Sequence, residues 1–173
     1  PGPPAQAPAA TADADTIPAG ARVFDIDPLR SVVTIHVYRS GPMAKLGHNH
    51  VITSAEESGI AWRGPTPTRS GFELRIPVST LVVDDAAARA AAGPDFEGQV
   101  PESAREGTRK NLLRAEVLDA ARYPDVTVSA GGLGGTWQDP VAHADVTLKG
   151  VTRRVEIPLD LVDAAGMLMA RGT

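Results

Sequence analysis

The sequence has no cysteine and few aromatic residues, which account for 4% of its 173 positions. The missing thiols exclude disulfide bonds, thiolate catalysis and zinc sites built from cysteine. Because aromatic rings are scarce, Val, Ile, Leu and Ala must fill the hydrophobic core. The hydrophobic content of 42% is high enough to predict a folded domain rather than a disordered chain.

The chain also lacks the long apolar runs and charge clusters of several other protein classes. No apolar run reaches the roughly 18 residues that cross a bilayer, and no charged segment followed by an apolar stretch forms a signal peptide. An exported protein of this sequence would therefore already have lost its signal. The net charge is −4 and the pI about 5.5. No basic stripe for nucleic acid and no basic cluster for anionic lipids is present.

Residues 1–20 are rich in Pro, Ala, Gly and Asp and contain one isolated large apolar side chain, Ile17. Such a segment buries too little apolar surface to offset the entropy of ordering it. It is interpreted as a flexible tether, which would keep the protein near a membrane if it follows a removed signal or a lipid anchor. The alternative is an ordinary ragged N-terminus. Residues 21–173 are predicted to form one domain.

The clearest secondary-structure pattern is a strict alternation within Gly71–Val78. Phe72, Leu74 and Ile76 fall on one face, and Glu73 and Arg75 on the other, as in a half-buried antiparallel strand. Similar β-branched or alternating runs bounded by Gly and Pro predict further strands at 31–38, 47–53, 59–64, 126–130, 142–148 and 151–161. Gly150 is predicted to be a hairpin turn between the last two.

The middle of the chain changes to a helical period. Ala86–Ala92 is predicted to be a short Ala-rich helix or turn after Asp84-Asp85, of which a helix N-cap is the expected role. Ser103 and Glu106 have the spacing of a capping box, so a second helix is predicted over about 103–119, ended by Tyr123-Pro124. Antiparallel strands with one helix-bearing insertion predict an all-β sandwich or barrel, with a barrel fitting best.

Several segments resemble the YceI-like family of lipocalin-fold, polyisoprenoid-binding proteins. Their order and spacing agree with the family over roughly residues 23–161. The segments are Phe24-Asp25-Ile26-Asp27 with Ser31-Val32-Val33, the Gly47 strand leading to Gly59-Ile60, Ile76-Pro77-Val78-Ser79-Thr80-Leu81, Asn111-Leu112-Leu113 with Glu116 to Ala120 and Tyr123-Pro124, and Ala144 to Arg153.

The resemblance implies an exported, non-enzymatic antiparallel barrel of about eight strands that holds an isoprenoid or quinone tail in an apolar lumen. Each tail methylene removed from water contributes about 0.8 kcal/mol, and a few polar groups would orient the head group. The side chains predicted to contact the ligand are His48, His50, His36, Phe72, Leu74, Ile76, Leu112 and Trp62.

The chain departs from the family pattern in two places. The family continues past Gly166-Met167 with strands that close the barrel, whereas this sequence stops at Thr173. Either the chain is truncated or its last strands are replaced, and an unclosed edge would favour pairing with a second chain. Leu46-Gly47-His48-Asn49-His50 also resembles a His-bearing subgroup, whose ligand need not be the same.

His48 and His50 raise an alternative function. In a strand, residues two apart share a face, so these imidazoles would form a two-His half-site for a metal or haem in a redox-linked protein. His36, on the strand expected to pair with theirs, is the best third ligand. A carboxylate from Asp84, Asp85 or Glu116 is another choice. Otherwise the two histidines would bond across the barrel mouth, bind a head group, or face solvent.

No other pattern supports catalysis. Ser79-Thr80 has no base nearby in sequence, and Gly131–Gly135 is not followed by the Lys-bearing helix of a phosphate loop. Trp62 and Trp137 are expected in the core or at the rim of the lumen. The leading prediction is therefore an extracytoplasmic binding barrel.

Overall fold

The computed structural model describes residues 17–42 and 47–173. Most of the predicted tether lies outside the described residues. The described chain is built mainly from antiparallel strands, with an insertion that carries both α-helices. The strands are β1 (Arg22–Asp25), β2 (Thr34–Val37), β3 (His50–Thr53), β4 (Ser58–Arg63), β5 (Gly71–Pro77), β6 (Val82–Val83), β7 (Asp125–Ala130), β8 (Leu133–Gly135), β9 (Pro140–Leu148), β10 (Val151–Ala164) and β11 (Met167–Gly172), and the helices are α1 (Ala86–Ala91) and α2 (Glu102–Leu112).

The strands form two antiparallel sheets. The larger sheet has the order β1-β4-β5-β7-β9-β10-β11, with β8 paired to β9, and the smaller has the order β2-β3-β6. The larger sheet curls into a nearly closed barrel, which confirms the predicted fold class. Among the described residues, no helix is both long and apolar enough to cross a membrane.

Side chains connect β1 and β4 to β10 across the seam of the curled sheet. Arg22 on β1 donates to Asp163 Oδ2 at 3.0 Å, and Arg63 on β4 donates to the same oxygen on β10. Among the described strands, β1 pairs only with β4 and β11 only with β10. The seam of the barrel is therefore held by an ion cluster rather than by a ladder of backbone hydrogen bonds.

Strand register defines the inner face of the barrel. Phe72 pairs with Ala130, Leu74 with Val128 and Ile76 with Val126, so the predicted apolar face of β5 is confirmed. The same face continues across β9 and β10, because Ala144 pairs with Val155 and Ala142 with Ile157. The other face is mainly polar. There Arg154 binds Asp145 with two hydrogen bonds of 2.9 and 2.7 Å, and the bond from Arg154 lowers the pKa of the Asp145 carboxyl.

The β9–β10 hairpin turns where the sequence predicts. Lys149 and Gly150 both have positive φ, 50° and 74°, as a tight hairpin turn requires. A side chain at Gly150 would meet the Tyr123 ring, since a Cβ there would lie 2.7 Å from a ring carbon. Glycine at this position is thus fixed by both the backbone conformation and the packing.

Helix α1 begins as the sequence predicts. The Asp85 carboxylate accepts hydrogen bonds from the backbone N–H groups of Ala87 and Ala88, both at 3.0 Å. It is therefore the N-cap of α1 and satisfies two donors that the helix itself leaves unpaired.

Helix α2 differs from the prediction at both ends. Its N-cap is Pro101, without a side-chain cap, so the predicted capping box of Ser103 and Glu106 is wrong. The reason is that the helix begins directly after Pro101, which places Ser103 inside the first turn. The helix ends at Leu112 rather than near 119.

The early end of α2 allows more apolar side chains to reach the core. Leu112, Leu113, Leu118 and Ala120 all pack against the same buried cluster. In a continuous helix, Leu118 would lie about 240° around the axis from Leu112 and could not share its face. The chain instead turns, with the Leu118 N–H donating to the Leu112 carbonyl and the Ala120 N–H to that of Leu113.

Candidate ligand-binding interior

One end of the barrel is filled by large side chains. Ile52, Ile76, Val78, Leu81 and Val83 form a buried cluster there. Leu74 and Leu112, both predicted to contact a ligand, pack against this cluster, with Leu112 coming from the insertion. This end is closed by the protein's own side chains.

The other end of the inner face is packed differently. Its fully covered residues are mostly small: Ala130, Ala142 and Ala144, together with Leu133. The large apolar side chains packed around them remain partly exposed, namely Phe72, Val128, Ile157, Leu159 and Leu161. Val155, on the same face of β10, is 39% exposed. Apolar inner surface is therefore accessible at this end.

A polar rim lies beside the accessible end. The Arg63 guanidinium sits 4.2 Å from the centre of the Trp137 ring and also donates to Asp163. Asp163 follows Leu159 and Leu161 on the inward side of β10, since alternate residues share a face. Trp137 thus lies at the rim, one of the two positions expected for it.

Trp62, also predicted to contact the ligand, lies on the opposite face of the sheet from Phe72, Leu74 and Ile76. It is 1% exposed and pairs with Gly71, whereas its neighbour Ala61 pairs with inward-facing Phe72. Its ring covers Gly71 so closely that a Cβ there would be 2.6 Å from Cζ2. Trp62 is a core residue, and the alternation of β4 directs it away from the interior.

His50 belongs to a buried polar network. Its Nδ1 lies 2.6 Å from Asp84 Oδ2, and Arg89 Nη1 lies 2.6 Å from Asp84 Oδ1. The Val51 N–H also donates to Asp84, at 3.0 Å. Because an ionised carboxylate only accepts hydrogen bonds, His50 Nδ1 is the donor in this contact. His50 shares a strand face with Ile52 of the filled cluster, so it belongs to the closed end.

The network keeps the Asp84 carboxyl ionised although its side chain has no solvent exposure. Burial raises the pKa of Asp84, but the hydrogen bonds from His50, the Val51 N–H and Arg89 outweigh it and hold the pKa below the ordinary 3.8. Sequence reasoning placed Asp84 among the carboxylates available to a metal and did not identify Arg89 at all. The sequence signal for the role of Asp84 was the acidic pair Asp84-Asp85. Only Asp85 is needed to cap α1, so Asp84 is left for another contact.

His48 and His36 are placed apart from this network. Strand β3 begins at His50 rather than at residue 47, so the alternation expected to align His48 with His50 does not reach His48, which is exposed. His36 lies on β2, which pairs with β3 as predicted, with His36 opposite Val51. Its ring packs against the Phe96 ring at 4.8 Å between centroids, with the two planes tilted by 41°.

The other predicted metal donors have separate partners. Asp85 caps α1, and exposed Glu116 pairs with Arg114 at 3.3 Å. In the part of the chain that the structure describes, no three His, Asp or Glu side chains come together as metal donors.

Comparison with known proteins identifies the family. The model of the YceI-like domain matches residues 24–173. The chain belongs to the YceI-like domain family. The resemblance drawn from the sequence is thereby confirmed, while the His-bearing subgroup stays a prediction.

One solved structure shares this fold. The crystal structure of Burkholderia cenocepacia BcnA is similar with a TM-score of 0.55 and 14% identity, over 82% of this chain and 73% of that one. A mutant CJ YCEI protein gives a TM-score of 0.47 and 11% identity, over 64% of this chain and 54% of that one. No curated protein matches the sequence.

Proposed function

We propose that this YceI-like protein binds an isoprenoid or quinone-like apolar ligand inside its barrel without catalysing a reaction. The observation that carries the proposal is the accessible inner face beside Ala142 and Ala144. Large apolar side chains there, such as Leu159 and Leu161, are only partly covered. Exposed apolar surface of this kind is costly in water, and covering it with a ligand stabilises the complex by about 25 cal/mol per Å².

The arrangement of the interior favours a slim, chain-like ligand. An eight-stranded barrel is wide enough for its own side chains or for one small ligand, and here one end is already filled by the cluster around Ile76 and Val78. A tail would therefore lie along Phe72, Leu159 and Leu161, with its polar end towards Arg63 and Trp137 at the rim. The family is generally periplasmic, which supports a carrier role outside the cytoplasm.

The test is retention of a polyprenol or a ubiquinone by the purified protein, measured by native mass spectrometry after incubation and removal of free lipid. Leu159→Glu puts a charge on the inner face and should abolish retention. Val162→Glu is the matched control, because Val162 lies on the outer side of the same strand and is 50% exposed; it should retain lipid normally.

A second variant, Leu161→Trp, narrows the same space without adding charge and separates loss of binding from loss of folding. Circular dichroism melts would show that both variants remain folded. The proposal fails if neither lipid is retained by the unmodified protein, or if the inner-face and outer-face Glu variants retain lipid equally.

A further inference from the structure

A second cavity, separate from the barrel interior, lies in the insertion between β6 and β7. Its volume is about 650 Å³, which is within the usual range for small-molecule sites. It is bounded by α1, by the segment 93–100 and by Arg105 of α2. No residue of the barrel's accessible inner face borders it. We call it the insertion cleft.

Arg89 forms one wall of the insertion cleft. It is 8% exposed, and its Nη1 donates to Asp84 and to the Asn49 carbonyl at 2.6 and 2.8 Å. Its Nε is buried and finds no acceptor among the described residues. A buried donor left without a partner is unfavourable, so a ligand acceptor that reaches this guanidinium would relieve that cost.

Arg105 borders the same cleft and also has a buried donor without an acceptor in the described part of the chain. Its Nε is also buried, and no described residue accepts a hydrogen bond from it. Arg89 already shares the charge of Asp84, whereas Arg105 brings a further positive charge. Both guanidinium groups border one cavity and lack an Nε acceptor among the described residues. Such groups are suited to an oxyanion, whose oxygens match the planar fork of arginine.

The rest of the lining determines what kind of anion fits. Most of the remaining side chains are apolar, including Ala90, Pro94, Phe96 and Val100, but Asp84 and Glu97 also border the cleft. The formal charges of Arg89 and Arg105 are thus balanced before a ligand enters. A dianion such as phosphate would add two negative charges beside these carboxylates, whereas a carboxylate adds only one. The apolar walls favour a ligand with an apolar body.

We infer that the insertion cleft is a second binding site, for an amphipathic monocarboxylate whose carboxylate lies between Arg89 and Arg105 and whose apolar body packs near Phe96 and Val100. This inference does not depend on the proposed isoprenoid function, since the two sites share no lining residue. It also gives a role to the helix-bearing insertion, which contributes no strand to the larger sheet.

The experiment is a titration of the full chain with benzoate, benzyl alcohol and inorganic phosphate, followed by NMR at the arginine Nε–H resonances. Benzoate should shift the Arg89 and Arg105 resonances saturably. Benzyl alcohol, which lacks the charge, and phosphate, which lacks the apolar body, should each bind at least tenfold more weakly.

Arg105→Gln should weaken benzoate binding at least tenfold. Lys110→Gln removes the same charge from the exposed side of α2 and should leave the affinity unchanged. If Arg105→Gln disturbs folding, the titration of the unmodified protein still decides the matter through the two Nε–H resonances. No saturable shift, equal binding of benzyl alcohol, or equal binding of phosphate would overturn the inference.

Discussion

Three hydrogen bonds converge on the buried carboxylate of Asp84. Its carboxylate accepts from His50, from the Val51 N–H and from Arg89. These bonds connect β3, the end of β6 and α1. Removing the charge would leave the Arg89 guanidinium buried without its counter-ion, and breaking a buried pair in this way costs about 3–5 kcal/mol.

Asp84→Asn should therefore lower the free energy of unfolding by about 3–5 kcal/mol at neutral pH, as measured by urea denaturation. The loss should depend on pH. Because the folded-state pKa of Asp84 lies below its ordinary value of 3.8, the ionised carboxylate stabilises the fold at any pH above about 3.8. This contribution disappears as the pH falls through the lower folded-state pKa.

The neighbouring substitution Asp85→Asn is the control for Asp84→Asn. Asn caps helices about as well as Asp, so the change should cost only a few tenths of a kcal/mol. Similar losses for the two variants, or a difference between Asp84→Asn and the unmodified protein that persists unchanged in acid, would count against the network as described.

Residue chemistry was only partly predictable from the sequence. The cap role of Asp85 follows from local pattern, because the donors it satisfies are two and three residues away. The partner of His50 does not, because Asp84 is 34 positions distant and several other carboxylates were equally available. No sequence periodicity distinguishes a carboxylate that hydrogen-bonds to an imidazole from one that binds a metal.

At the scale of elements, alternation was informative where one strand face is apolar and the other polar. The face of β5 could be predicted because Phe72, Leu74 and Ile76 alternate with charged residues. The end of α2 could not, because the sequence after Leu112 keeps an approximate helical period while the core requires Leu118 and Ala120 to return to the same side. Tertiary packing overrides local pattern here.

The contact between β4 and β5 on the outer side of the sheet gives an element-scale prediction. A Cβ at Gly71 would lie 2.1 Å from the Ala130 carbonyl oxygen and 2.6 Å from Trp62 Cζ2. The carbonyl belongs to the paired strand β7 and cannot move aside without breaking the ladder. Gly71→Ala should lower the free energy of unfolding by about 3 kcal/mol, the upper range for overpacking, as measured by denaturant titration.

Gly107→Ala provides the opposite case. Gly107 lies in α2 and nothing is within 4 Å of a Cβ at that position. Alanine there removes backbone freedom from the unfolded chain and should stabilise the protein by about 0.5–1 kcal/mol. If both glycine substitutions changed the free energy of unfolding in the same direction, close packing would not be the reason for glycine at position 71.

For the whole molecule, the barrel class can be predicted from strand alternation and from the family resemblance. The way in which the barrel closes cannot be predicted from either. The bonds that join β1 and β4 to β10 connect residues 141 and 100 positions apart. Arg22, Arg63 and Asp163 each look like ordinary surface charges in the sequence. Only the curl of the sheet brings one carboxylate between two guanidinium groups.

The stability of the seam should therefore depend on the Asp163 side chain. Asp163 is 17% exposed at its side chain, so its charged hydrogen bonds are partly shielded from water, and charged bonds of this kind contribute about 1.5–3 kcal/mol. Asp163→Asn should lower the free energy of unfolding by about 1–2 kcal/mol after allowance for the exposure of both arginines. It should also accelerate amide hydrogen exchange in β1 more than in the central strand β5, because β1 loses its attachment to β10 while β5 keeps both neighbours.

Asp160→Asn, on the exposed side of the same strand, is the matched control and should leave exchange in β1 unchanged. High salt should reduce the difference between Asp163→Asn and the unmodified protein, since partly exposed ion pairs are screened. Equal exchange rates in β1 for the two variants would mean that backbone curvature alone closes the barrel. Faster exchange confined to Asp163→Asn would show that the ion cluster attaches β1 to β10 across the seam.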